Sequence, residues 1–260
     1  MIKILHLYHD LMNLYGDWAN AEVLGLELKS RGFDSIIEKK SIGDSIDIGA
    51  YDFAYIGSGT ERSLCACLHD IMKYKTSLAE CIENGMTMLA TGNSHEIFGS
   101  AIIDSDAKRH EALGLLNFET VQGSLRVTGD CVSKAAFLQE KLIGFINRAS
   151  GGQNGDIDRP FVNELGPGAN DKSTSEGIQY NNLIGTYMTG PVLVRNPPLL
   201  RYFADKLVKT RSAKLSEHYP TDGAYGVKED AEGTNKHVFF EFQEKSYQKA
   251  LKELLQRAEK

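Results

Sequence analysis

The stretch GMTMLATGNSHEIFG, residues 85–99, decides the fold of this chain. Residues 86–90 are apolar except for Thr87, and a run of that length predicts a short strand buried on both faces. The strand ends in a polar turn at residues 91–94, after which the pattern indicates a helix. Strand, tight turn and helix in this order form the layout of a nucleophile elbow. In such an elbow a reactive side chain sits on a strained turn, and the N-terminus of the next helix stabilises an anion.

Segments before the elbow alternate between strand and helix patterns. Three apolar runs are typical of buried strands, namely residues 2–8, 33–38 and 51–56. Apolar side chains at helical spacing predict helices over residues 11–31 and 61–84. This alternation predicts an α/β fold, a three-layer sandwich with a mostly parallel sheet between helices. Ligands in such sheets bind at the carboxyl ends of the strands, where the turns at Gly59 and Gly92 lie.

The pattern changes after the first half of the chain. Residues 122–132 and 141–147 predict strands with no long helix between them, as in an antiparallel extension of the sheet. Residues 150–175 are rich in Gly, Asn and Asp, which predicts a loop. Residues 177–193 return to strand character. The second half is therefore expected to add antiparallel strands to the parallel core.

The end of the chain forms a predicted extension. The prolines at 197 and 198 predict a helix start, since proline is tolerated in a first turn, and this helix is expected to end near residue 209. We therefore place one domain over residues 1–210 and a C-terminal extension over residues 211–260. In the extension, residues 237–242 predict a strand and residues 246–260 an amphipathic helix. The extension is expected either to dock a partner or to pack against its own domain.

Composition excludes several classes of protein. The 260 residues are 42% hydrophobic and 25% charged, as in ordinary globular chains. A net charge of −6 argues against binding to nucleic acid or to anionic lipid, and no apolar run is long enough for membrane insertion. The four cysteines lack C-x2-C spacing and predict reduced thiols in a cytoplasmic protein. The seven histidines show neither H-x3-H nor H-E-x2-H spacing, so we expect no metal site.

The elbow resembles that of class I glutamine amidotransferases, which show G-(I/V)-C-x-G-x-Q after a buried strand. Within that family it is most similar to the GatD subunits of lipid II isoglutaminyl synthase. Four further segments carry the resemblance in the family's order: residues 13–17, 56–62, 126–130 and 177–191. The resemblance covers residues 1 to about 210. It implies a flavodoxin-like three-layer fold, no cofactor, glutamine or a related amino acid as ligand, and a MurT-like Mur ligase as partner.

Both catalytic positions of the family are substituted. The nucleophilic cysteine of the family falls on Gly92, and its general-base histidine falls on Thr189. Glycine has no side chain to attack an amide, and a threonine hydroxyl is too weak a base to deprotonate a thiol. The small glycine of the elbow becomes Ser94 and its glutamine becomes Glu96. The sequence therefore predicts that the standard glutaminase reaction is lost.

Other residues are candidates for the lost roles. Ser94 and His95 follow the elbow, although neighbours on a helix point in different directions and Ser94 is also a candidate helix cap. Cys65 and Cys67 follow the preceding loop on a helix and are either pocket thiols or small core residues. For ligand binding we expect the flanking loop and the elbow to contribute Gly57, Ser58, Gly59 and Asn93. The resemblance implies a role in substrate recognition for Arg126; the alternative is a solvated arginine on a strand.

Three functions remain open on this basis. The first is a GatD-like subunit without glutaminase activity that acts as a partner or regulator of a Mur ligase in lipid II amidation. The second is an active amidotransferase that uses a non-standard nucleophile. The third is a sensor that binds glutamine or another amino acid without reaction.

Overall fold

The structure, a computed structural model, describes residues 1–218 and 240–258. Its strands are, in chain order, β1 (Ile2–Leu7), β2 (Ser35–Lys40), β3 (Phe53–Ile56), β4 (Thr87–Thr91), β5 (Ala101–Ile103), β6 (Arg109–Glu111), β7 (Glu119–Ala135), β8 (Leu142–Asn154), β9 (Phe161–Leu165), β10 (Ser175–Glu176), β11 (Ile178–Tyr180) and β12 (Leu183–Thr186). Its α-helices are α1 (Ala19–Ser30), α2 (Glu61–Ile71), α3 (Lys75–Glu83), α4 (Val192–Arg195), α5 (Pro197–His218) and α6 (Glu241–Ala258).

The first sheet has six strands in the order β11-β12-β4-β3-β1-β2. Neighbouring strands from β12 to β2 run parallel, and only β11 pairs antiparallel with β12. Side chains along each strand alternate between two cores. Leu5 and Leu7 face the core that contains α2 and α3, whereas Ile2 and Ile4 face the core that contains α1 and α5. Helices therefore cover both faces, and the predicted three-layer α/β fold is confirmed.

The antiparallel extension forms a second sheet of its own. Its order is β10-β9-β7-β5-β6, with β8 beside β7 in a long hairpin. The predicted loop over residues 150–175 is wrong in part, because β8 runs on to Asn154 and β9 and β10 follow. Gly151 and Gly152 have φ values of +90° and +65° and lie where the β7–β8 register shifts. These glycines thus permit an irregularity within a strand and do not indicate a loop.

Two predicted helices differ in their limits. The helix predicted over residues 11–31 begins only at Ala19, because the preceding segment folds into turns against the loop after β3. There the backbone N–H of Leu14 donates to the carbonyl of Ser58 at 2.9 Å. The helix predicted over residues 61–84 is interrupted by a 3-10 turn at Met72–Tyr74. The Tyr74 hydroxyl donates to the carbonyl of Asp44, so a tertiary contact accompanies the break.

The C-terminal helix packs back on its own domain. Tyr247 of α6 is buried against Val132 and Ile143 of the second sheet. Of the strand predicted over residues 237–242, residues 237–239 lie outside the described residues, and Phe242 lies in α6, where the strand prediction is wrong. Glu241 in the first turn favours a helix start at this point. Helix α5 runs past residue 210, the boundary predicted for the domain.

No helix in the described part of the chain combines the length and the apolar character that a membrane span needs.

Candidate functional site

The candidate site lies at the edge where the parallel strands β1, β3, β4 and β12 end. The loop after β3 contains Gly57, Ser58 and Gly59, and the elbow after β4 begins at Gly92. The N–H of Gly92 donates to the carbonyl of Met188 at 3.1 Å. Thr189 is the next residue, so Gly92 and Thr189, the two positions predicted from the family's motif, lie side by side at this edge.

Gly92 has the backbone of a nucleophile elbow. Thr91 is extended, and Gly92 follows with φ +63°, in the left-handed region that disfavours L side chains. A sharp strand-to-turn junction of this kind exposes a nucleophile in enzymes that carry one. The helix predicted after the elbow is a 3-10 helix, Gly92–Phe98, and its residues are all buried.

Ser58 occupies the space beside Gly92. A Cβ atom built on Gly92 would lie 2.0 Å from Ser58 Oγ and 2.7 Å from Ser58 Cβ. Ser58 is itself buried and belongs to a tightly packed loop, so it cannot move away freely. The structure therefore leaves no room for a side chain at Gly92 while Ser58 keeps its position.

Two of the predicted anion donors already have partners. The N–H of Ser58 donates to Asp17 Oδ2 at 2.9 Å, and the N–H of Gly59 donates to Asn93 Oδ1 at 3.0 Å. The Asn93 amide donates back to the Gly59 carbonyl at 2.9 Å. Burial raises the pKa of the Asp17 carboxyl, against the hydrogen bonds that it accepts. Asp17 and Asn93 thus occupy the N–H groups of the loop after β3, and a bound ligand would have to replace these hydrogen bonds.

Thr189 is bonded to the second sheet. Its hydroxyl donates to the carbonyl of Phe145 on β8 at 2.9 Å, and its N–H donates to the same oxygen at 2.8 Å. An isolated β-bridge between Ile146 and Met188 joins the two sheets at this point. Thr189 therefore connects the elbow edge to β8.

Ser94 and His95 do not contact each other as a nucleophile and a base would. Ser94 is buried, and its hydroxyl lies 2.8 Å from the carbonyl of Thr91 and 3.1 Å from that of Ile56, so it is not the predicted helix cap. His95 Nδ1 donates to the carbonyl of Gly92 at 2.7 Å, and its ring packs edge-on against Tyr187. Burial lowers the pKa of His95 to about 3, which favours a neutral ring.

Glu96 is a buried carboxyl behind the elbow. It accepts hydrogen bonds from Gln122 Nε2 at 3.2 Å and from the Tyr187 hydroxyl at 3.0 Å. Burial raises the pKa of Glu96 to about 7, and these two hydrogen bonds oppose the rise. Glu96 therefore titrates near neutral pH inside the fold.

A cavity of about 550 Å³ is lined by α2, by β5 and β6 with the loop between them, and by β7. Arg126 lies in its lining, and its guanidinium donates to Asn147 Oδ1 at 2.9 Å and to the side chain of Glu61. Cys65 also lines the cavity. Cys67 instead lies in the core, where burial raises the pKa of its thiol to about 12. Of the predicted ligand residues, Arg126 therefore lines this cavity, whereas the others lie at the elbow and in the loop after β3.

The sequence prediction missed one cluster at this cavity. Cys65, His69 and His110 place one ligand atom each within 4.8 Å of one another. Cys65 and His69 are four residues apart on α2, a spacing that puts both on one helix face. His110 comes from β6, far along the chain, and that pairing leaves no signal in the sequence.

Comparison with known proteins places the chain in a family. A family model described as the CobB/CobQ-like glutamine amidotransferase domain matches residues 3–197. The GatD subunit of the glutamine-hydrolysing lipid II isoglutaminyl synthase of Staphylococcus aureus (strain N315) is 32% identical over 205 residues, which cover 79% of this chain and 84% of that protein. The corresponding subunit of Streptococcus pneumoniae (strain R6) is 30% identical over 215 residues, which cover 82% of this chain and 81% of that protein.

A solved structure has a similar fold. PurLQS from Thermotoga maritima matches with a TM-score of 0.50 at 14% identity, over 82% of this chain and 99% of that chain. The family match over most of the chain and the two GatD relatives agree with the geometry of the elbow. The chain therefore belongs to the CobB/CobQ-like glutamine amidotransferase family.

Proposed function

We propose that this chain is a GatD-like amidotransferase-family subunit that lacks standard glutaminase activity. In this proposal it is the partner or regulator of a MurT-like Mur ligase that amidates lipid II. The observation that carries the proposal is Gly92, which keeps the strained backbone of the elbow but has no side chain, with Ser58 in the adjacent space. An elbow so filled cannot present a nucleophile to the amide of glutamine.

The surroundings of Gly92 support the loss of activity. Thr189 holds β8 through its hydroxyl and cannot act as a base at neutral pH. The N–H groups of Ser58 and Gly59, which an oxyanion would need, are bonded to Asp17 and Asn93. These hydrogen bonds satisfy the polar groups at the edge of the sheet within the protein itself, as expected of a subunit that has kept the fold of the family.

The relatives support a partner chain. Both are named as subunits of a lipid II isoglutaminyl synthase, and this chain matches more than four fifths of each. A subunit of such a synthase needs a ligase subunit to form the amide bond. All four cysteines lie within the described residues as free thiols, which supports a cytoplasmic location.

The alternative of an amino-acid sensor is less well supported. A ligand carboxylate or amide at the elbow would have to displace Asp17 or Asn93 from the loop after β3. Calorimetric titration with glutamine and with glutamate tests this alternative. We expect no measurable heat at millimolar concentration; saturable binding would favour the sensor.

The nitrogen source of the ligase tests the proposed role. The chain is purified together with its Mur-ligase partner, and amidation of lipid II is followed with ¹⁵N-ammonium or with ¹⁵N-amide glutamine. We expect labelled product from ammonium and none from glutamine. Amidation from glutamine in this complex would contradict the proposal. The variants Ser94→Ala, Cys65→Ser and Cys67→Ser would then identify the nucleophile.

A further inference from the structure

The cluster at the cavity has the chemistry of a metal site. Cys65 Sγ lies 3.4 Å from His110 Nδ1, and His69 presents its ring on the same side of α2. A tetrahedral zinc ion with bonds of about 2.0–2.3 Å holds neighbouring sulfur and nitrogen ligands at separations of this size. Small rotations of the exposed His69 would bring the third ligand atom within range.

Asp104 sets the tautomer of His110. His110 Nε2 donates to Asp104 Oδ2 at 2.7 Å. Asp104 Oδ1 accepts the N–H groups of Asp106 and Lys108 at 3.0 and 2.9 Å, so the carboxylate is held in place. With its proton on Nε2, His110 directs the lone pair of Nδ1 toward Cys65. A carboxylate behind a histidine in this way is the usual support of a metal ligand.

We propose that Cys65, His69 and His110 bind a zinc-class divalent cation. The set supplies one thiolate and two neutral imidazoles, the ligand types that zinc prefers. A dication bound to one thiolate has a charge of +1, which the carboxylate of Asp104 offsets. Cys65 and His110 both line the cavity, so the fourth coordination position faces that space. Three protein ligands with an open fourth position are the pattern of sites that bind a water or a small ligand.

A thiol nucleophile is the other interpretation of this cluster. Cys65, His110 and Asp104 do form a line of contacts like that of a Cys–His–Asp triad. Cys65, however, lies in the second turn of α2, where the helix itself uses the backbone N–H groups. A triad also has no need of His69, whereas a metal site does. The geometry therefore favours the metal.

Metal binding by the full chain tests the proposal. The purified protein is treated with a chelator and titrated with Zn²⁺, and with Co²⁺ as a spectroscopic probe. We expect one ion per chain and a sulfur-to-cobalt charge-transfer band. Cys65→Ser should abolish the band, and His69→Ala and His110→Ala should each weaken binding at least tenfold. Asp104→Asn should weaken it by about 10–100-fold, as loss of a supporting carboxylate does.

Matched control variants separate loss of the metal site from loss of folding. Cys81→Ser removes a partly exposed thiol outside the cluster and should leave the stoichiometry and the band unchanged. His69 is exposed, so its alanine variant should fold normally even if changes at Cys65 or His110 do not. Wild-type protein that binds no more Zn²⁺ than His69→Ala would overturn the proposal. A cobalt band that survives in Cys65→Ser would also overturn it.

Discussion

Ser58 packs directly against Gly92 at the elbow. The Gly92 backbone is in the left-handed region, and the position of its absent Cβ lies 2.0 Å from Ser58 Oγ. In an enzyme of this layout the same strained position presents the nucleophile. Here the strained backbone remains without a reactive group, and the neighbouring serine fills the volume instead. The proposed loss of glutaminase activity thus rests on the packing of one residue pair.

Gly92→Ala should destabilise the fold strongly. The left-handed backbone costs a non-glycine residue about 1–2 kcal/mol, and overpacking against Ser58 adds about 1–3 kcal/mol. Gly32→Ala is the matched control, because Gly32 has φ +81° with no atom within 4 Å of its built Cβ. Urea unfolding should show a greater loss of unfolding free energy for Gly92→Ala than for Gly32→Ala.

Ser58→Gly should restore part of the stability that Gly92→Ala loses, and it should not restore the stability that Gly32→Ala loses. In a double-mutant cycle, Ser58→Gly combined with Gly92→Ala should recover the overpacking part of the loss. Equal losses for the Gly92 and Gly32 variants, or a coupling energy near zero, would show that Ser58 does not fill this space.

Glu96→Gln should stabilise the protein above neutral pH. The pKa of Glu96 is raised to about 7, so the folded state binds a proton more tightly than the unfolded state does. The stability that this proton contributes is present at low pH and is lost as pH rises from about 4.5 to about 7. The glutamine variant stays neutral, so its advantage should grow over that window toward about 3 kcal/mol.

Unfolding titrations at pH 5 and pH 8 measure this difference. Glu253→Gln, on the exposed side of α6, serves as the control for a change of net charge. An advantage of Glu96→Gln that is equal at both pH values would contradict the assignment.

At the scale of elements, local sequence patterns predicted the parallel sheet and its helices but not the second sheet. Apolar runs predicted β1 to β4 and the helices between them. β1, β3 and β4 are buried on both faces, whereas β2 is a half-exposed strand at the edge of the sheet. The second sheet could not be predicted in detail, since β5 pairs parallel with β7 and β7 pairs with β9 through contacts distant in sequence. The break at Met72–Tyr74 leaves the apolar spacing unchanged, so no periodicity reveals it.

The C-terminal helix makes an element-scale prediction. Tyr247 of α6 is 2% exposed, and its hydroxyl donates to the carbonyl of Lys141 at 2.5 Å. Tyr247→Ala removes a buried ring and should cost about 3–5 kcal/mol of stability. Phe242 lies on the same helix but is 84% exposed, so Phe242→Ala should change stability by less than about 0.5 kcal/mol. Thermal unfolding compares the two variants; similar shifts would refute the docking of α6 through Tyr247.

At the scale of the molecule, the site lies where the two sheets meet. β8 reaches the carboxyl edge of the parallel sheet and binds Thr189, while the β3 and β4 loops close over Gly92. The family's motif predicted Gly92 and Thr189 as site positions, because a motif keeps its order along the chain. It could not show that Ser58 fills the elbow or that Asp17 and Asn93 occupy the donors. Those contacts arise only when four strand ends come together.

Whether this elbow hydrolyses glutamine is measured directly by the release of glutamate. The assay uses the purified chain alone and in complex with the proposed Mur-ligase partner, with the GatD subunit of Staphylococcus aureus in its own complex as the positive control. We expect glutamate release no faster than in a protein-free blank in both states, because Gly92 offers no nucleophile. Saturable release of glutamate from either preparation would contradict it.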